Sequence, residues 1–102
     1  MNMKDQIRKV LGGIDGVVGL FYQQHEKEGY KEMQGLIEDV ANLMDDLYIY
    51  EKEEEYFNYD QARLVEGLTE AMNALEDKDT ILLADILQYE LSEQLKLIEQ
   101  QI

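Results

Sequence analysis

The chain has no cysteine, no proline and no tryptophan, and its single histidine is His25. Without cysteine there are no disulfide staples and no thiolate metal sites. One histidine leaves zinc short of ligands. It also rules out the paired Glu-x-x-His motifs of a di-iron bundle, because Tyr22 stands three residues before His25. The one serine, Ser92, falls in a helical stretch with no strand-turn elbow, so no Ser-His-Asp nucleophile is expected. Adjacent carboxylates such as Asp45 and Asp46 diverge on a helix and do not share a substrate. No enzyme activity, metal or cofactor is expected. No apolar run exceeds four residues, against the roughly 20 needed to span a bilayer. Lys4, Arg8 and Lys9 are followed by no apolar signal region, so a cytoplasmic protein is expected.

Acid, by contrast, is abundant. The 102 residues carry 23 acids and 9 bases, a net charge of −14. The surplus lies beyond residue 37: residues 1–37 are neutral, 38–60 sum to −8 and 61–102 to −6. Such a body repels phosphate backbones and anionic lipid, so neither nucleic acid nor a membrane surface is an expected partner. A basic protein partner fits the charge, and so does simple solubility. Apolar residues, at 45%, are too many for a disordered chain.

The apolar residues recur at helical spacing in four stripes. The first is Met3, Ile7, Val10, Leu11, Ile14, Val17, Val18 and Phe21, with Asn2 as cap and Gly29 as a left-handed stop. The second runs from Tyr30 through Met33, Leu36, Ile37, Val40, Leu43 and Met44 to Leu47 and Tyr48. Asn58 with Gln61 reads as a capping box for the third, whose stripe is Gln61, Val65, Leu68, Met72 and Leu75, flanked by Leu64 and Ala71. Asp79 caps the fourth, which carries Leu83, Ile86, Leu87, Leu91, Leu95, Ile98 and Ile102, with Ile81, Leu82, Tyr89 and Leu97 on a second apolar edge. The spacing predicts helices near 3–27, 30–54, 59–76 and 80–101. Short links make neighbours antiparallel, giving an all-α, up-down four-helix bundle in one domain, 1–102. The predicted core centres on Ile7, Val10, Ile14, Phe21, Leu36, Val40, Leu43, Leu47, Leu68, Met72, Leu75, Leu83, Leu87 and Leu91.

Three features are candidates for function. Gly12, Gly13, Gly16 and Gly19 sit inside the first helix, where each costs about 1 kcal/mol against alanine. Either Gly12 and Gly16 let another helix approach closely, within the fold or across a dimer, or Gly12-Gly13 marks a bend or partial break. Tyr48, Tyr50, Tyr56, Phe57 and Tyr59, five of the nine aromatics, are interleaved with acids. They form either a contact surface for a basic partner or a cover for the end of the core. In the fourth helix Asp85 and Glu90 lie among apolar neighbours, with Arg63 or Lys31 as expected ion partners.

The run Leu82-Leu83-Ala84-Asp85, Leu87 and Tyr89-Glu90-Leu91 after a short acidic turn resembles the C-terminal segment of small uncharacterised helical proteins of Firmicutes, some of them associated with flagellar or motility genes. The resemblance implies a helical bundle and no known activity. Two functions are expected from the residues. One is a non-enzymatic interaction module (adaptor, regulator or export-chaperone-like bundle) that binds a helix of a partner, with Leu82 and Tyr89 joining the aromatic segment as contacts. The other is a structural homodimer that associates through helices one and four.

Overall fold

The computed structural model describes residues 2–102, most of them in four helices. Helix α1 spans Met3–Tyr22, α2 Glu26–Glu53 and α3 Gln61–Glu76. Helix α4 runs over 80–99 in three pieces: Thr80–Ile86, a π-helical turn at Leu87–Leu91, and Ser92–Glu99. The architecture is the all-α four-helix bundle that the stripes predict. Its long axis of 43 Å matches the 28 residues of α2 at about 1.5 Å each. Helix α1 packs between α2 and α4, and α3 packs on the far side of α4. Helices α2 and α3, joined by the 54–60 segment, make at most a glancing backbone approach, so the bundle is closed on three sides and open on the fourth.

The helix starts follow side-chain capping. The Asp5 N–H donates to Asn2 Oδ1 at 2.8 Å and the Leu82 N–H to Asp79 Oδ1 at 3.1 Å, as expected. Helix α3 departs from expectation. Its cap is Asp60, which accepts from the Arg63 N–H at 3.0 Å. The backbone of Asn58 is taken instead by the Gln101 side chain, through bonds of 3.3 and 2.7 Å.

Helix α1 stops seven residues before Gly29, and it stops without glycine. Gln24 adopts a left-handed φ of 63°. The N–H of Gln24 reaches Phe21 O at 3.1 Å and that of His25 reaches Leu20 O at 2.8 Å, the paired bonds of a Schellman motif. Helix α3 ends the same way at Lys78, φ 57°, with Lys78 N–H to Leu75 O and Asp79 N–H to Ala74 O. Gly29 itself is buried inside α2 against the Phe21 ring. His25 occupies the N-cap position of α2, exposed and with no side-chain capping bond.

The core contains Ile7, Val10, Ile14, Phe21, Leu36, Val40, Leu43, Leu47, Leu83, Leu87 and Leu91, all as expected. The face of α3 is a correction. Its buried residues are Leu64, Gly67, Ala71 and Ala74, while Leu68 and Leu75 are half-buried and Met72 is 38% exposed. Small side chains let α3 settle closely on α4, where a β-carbon on Gly67 would meet Leu91 Cδ2 at 3.2 Å. That rotation turns the large residues of α3 toward the open side.

Candidate interaction site

The open side is lined by residues chosen by helical spacing. On α2, Ile37 and Met44 are half-buried and Tyr48, one turn further, is 45% exposed. On α3, Gln61, Val65, Leu68, Met72 and Leu75 follow one another at intervals of three or four, with Val65 43% exposed. These two rows are the edges by which α2 and α3 would pack if the bundle closed. The backbones of α2 and α3 make at most a glancing approach, and the two rows border the gap between them. At one end, Met44, Asp45, Tyr48, Ile49 and Gln61 bound a cleft of about 600 Å³. Ile37, Met44, Leu68 and Leu75 also rest against the core, which holds the edges of the gap in place.

The 54–60 segment closes the end of the bundle beside this cleft. Tyr50 meets Phe57 edge-on at a centroid distance of 4.9 Å, and Phe57 meets Tyr59 at 5.8 Å. Phe57 is buried, and Tyr50 and Tyr59 are half-buried against the core. The Tyr59 N–H donates to Glu51 Oε2 at 3.3 Å. Burial pushes the Tyr59 phenol above its ordinary pKa, helped by the Glu51 carboxylate and by Tyr48. Tyr50, Phe57 and Tyr59 therefore cover the core, and they are not a free contact surface. Tyr48 and Tyr56 do face solvent: Tyr56 is 90% exposed, and Tyr48 carries Lys52 Nζ over its ring at 4.2 Å.

The remaining candidates lie elsewhere. Leu82 and Tyr89 are exposed on α4, away from the gap. Helix α1 is continuous through Gly12 and Gly13, so the helix neither breaks there nor begins only after them. Gly12 and Gly16 are exposed on its outer face, and a β-carbon at either would meet nothing within 4 Å, so they admit no neighbour within the fold. Gly13 alone of that set approaches α2, at 3.1 Å from Leu36 Cδ1.

Neither Arg63 nor Lys31 pairs with the carboxylates of α4. Asp85 accepts from the Tyr22 hydroxyl at 2.5 Å, and that bond, followed by desolvation and the Asp85 charge, raises the Tyr22 phenol to about 12. Glu90, on the π-turn, faces Glu70 of α3. Hydrogen bonding to Glu90 and repulsion from its charge hold the Glu70 carboxyl above the usual carboxylate range. The bases of α1 reach both neighbours, Arg8 to Glu99 of α4 at 2.9 Å and Lys9 to Asp39 of α2 at 3.8 Å. Among the described residues no three His, Asp or Glu side chains converge as a metal site would require.

Sequence reasoning missed the gap because it assigned Leu68, Met72 and Leu75 to the core. A signal was present in Gly67-x-x-x-Ala71 with Ala74, a small-residue seam at helical spacing that marks the close-packed face of α3.

The family described as a domain of unknown function (DUF8042) matches residues 1–101. The chain belongs to this family. The match spans all four helices, so bundle, gap and aromatic closure lie together within the family's domain. No curated protein and no solved structure matches the chain. Among the described residues no helix is long and apolar enough to cross a membrane.

Proposed function

We propose that this protein is a non-enzymatic interaction module that seats a helix of another protein in the gap between α2 and α3. The observation that carries the reading is the pair of partly exposed apolar rows, Ile37-Met44-Tyr48 and Val65-Leu68-Met72, on helices whose backbones make at most a glancing approach. Contiguous exposed apolar surface on a small acidic protein is costly to keep unless something covers it. A helix laid along two other helices would complete the packing that the bundle leaves unfinished. Adaptor, regulator and export-chaperone-like roles all use such a seat. A motility setting for the partner rests on the resemblance of the 82–91 segment alone.

Site-specific cross-linking tests the reading. A photoreactive residue at position 72, at the edge of the gap, should give one discrete adduct with a second protein in the native cell. The same residue at position 12, on the outer face of α1, should not. Equal adducts from both positions, or adducts only between copies of this chain, would overturn it.

A further inference from the structure

We infer that α3 is a releasable strap: residues 61–76 let go of α4 by unwinding, with both ends held, while α1, α2 and α4 stay packed together. Release uncovers Leu91 of α4, which is 1% exposed while the strap is closed. The inference concerns the α3–α4 seam and is independent of whether a partner seats between α2 and α3.

Four observations set α3 apart. The first is burial. Helix α1 buries six large apolar side chains and α2 buries five. Helix α3 buries Leu64 alone, beside Gly67, Ala71 and Ala74. Its Leu68 and Leu75 lean on the core half-buried, and Val65 and Met72 are more open still. An element that buries little loses little when it detaches, so it opens well before the rest of the fold.

The second is attachment. The backbone of α3 comes close to α4, with at most a glancing approach to α1 and α2. Among the described residues no ion pair joins α3 to another helix, whereas α1 is paired to both its neighbours. The Gln94 side chain reaches the Arg63 carbonyl at a stretched 3.5 Å. Glu70 faces Glu90 across the seam, like charge against like.

The third is the helix itself. Gly67, Thr69 and Asn73 are weak helix formers within its 16 residues. The Thr69 hydroxyl donates back to the Val65 carbonyl at 2.9 Å, a bond that loosens a helix. A helix of this length, left to itself in water, is marginal.

The fourth is that both ends are tied by contacts the middle of α3 does not supply. Before it, Phe57 is buried and the Asn58 backbone is bonded twice to the Gln101 side chain. After it, Asp79 caps α4 and Thr80 is buried. The middle can therefore open with neither end lost, and it recloses in place. The protein has two forms, closed and released, that differ in the apolar surface α4 presents.

The lack of cysteine gives a clean test. Thiols are introduced one at a time into the full chain, as Leu91→Cys under the strap and as Leu43→Cys in α2. Their labelling is timed alongside amide hydrogen exchange. The thiol at 91 should react at least about tenfold faster than the thiol at 43, and amides 64–76 should exchange at least about tenfold faster than the slowest of α1 and α2. Leu64→Ala removes the one large side chain that α3 buries. It should speed both readings of the strap about thirtyfold or more and leave exchange in α1 and α2 unchanged.

Equal labelling at 91 and 43, or exchange that Leu64→Ala speeds alike in all four helices, would make the protein one cooperative unit and overturn the strap. Exchange across 83–95 as fast as in α3 would mean that α4 leaves too, and would overturn it equally. Should Leu64→Ala not fold, Glu90→Gln decides. Removing the like charge should slow exchange by about twofold in α3 alone, and any other result overturns the strap.

Discussion

The ring of Phe21 stands where a side chain on Gly29 would need to be: a β-carbon built at residue 29 falls 2.5 Å from Phe21 Cε1 and 2.7 Å from Cδ1. Phe21 is fully buried and meets Tyr30 edge-on at 5.4 Å, so it has no room to swing away. The glycine that reads as a helix stop is therefore a contact point that sets how closely α1 and α2 approach. Gly29→Ala gains about 1 kcal/mol of helix propensity but forces overpacking of about 1–3 kcal/mol. Chemical denaturation should show a net loss; a variant as stable as the parent would mean that the ring yields.

Gly12 and Gly16 predict the opposite sign. Nothing stands near either, so alanine should raise stability by about 0.5–1 kcal/mol at each. The same two variants examine the dimer expected through helices one and four. If a second copy presses on this face, sedimentation will show weaker association in the alanine variants; if the face is free, only stability changes.

This contrast shows what the sequence discloses and what it hides. The four stripes, the caps Asn2 and Asp79, and most of the core are legible because period and capping chemistry are local. The face of α3 was hidden because hydrophobic size and burial part company there: Ala71 and Ala74 are buried while Met72 is not. A stripe says where the apolar residues lie, but close approach of two helices selects small ones, and only tertiary packing decides between the two. The gap was invisible for the same reason, since its edges are residues that ordinarily fill a core. Of the aromatic segment, Tyr50, Phe57 and Tyr59 proved to be closure, and Tyr48 alone borders the gap.

Lys78 holds a left-handed backbone that glycine adopts without strain. Lys78→Gly should therefore stabilise the protein by about 0.5–1 kcal/mol, against a loss of about 1 kcal/mol for Lys31→Gly inside α2. Melting curves of the two variants should move in opposite directions. A fall for Lys78→Gly would mean that the lysine side chain contributes more than its backbone strain removes.

Tyr22 supplies a pH signature. Its phenol is raised from 10.0 to about 12 by the bond to Asp85, so the folded state favours the neutral form. The resulting stabilisation is whole below pH 10 and is lost as pH rises through about 12. Phenolate absorbance should show one tyrosine titrating well above the others exposed to solvent. Asp85→Asn should bring it back toward the ordinary range, and an unmoved titration would dismiss the Tyr22–Asp85 bond.

The π-turn at Leu87–Leu91 has a consequence for comparing chains. Leu83, Leu87, Leu91 and Leu95 recur every four residues, a spacing that drifts about 40° per step around a regular α-helix. The wider turn absorbs that drift, and all four stay buried. It holds one residue more than a uniform helix of the same rise, so a relative lacking one residue between 87 and 91 keeps both halves of α4 facing inward. A gap of one residue anywhere else in α4 would swing its far half by about 100° and bring charged positions such as Lys96 and Glu93 toward the interior. The π-turn is therefore the one place along α4 where the chain can lose a residue and keep its interior.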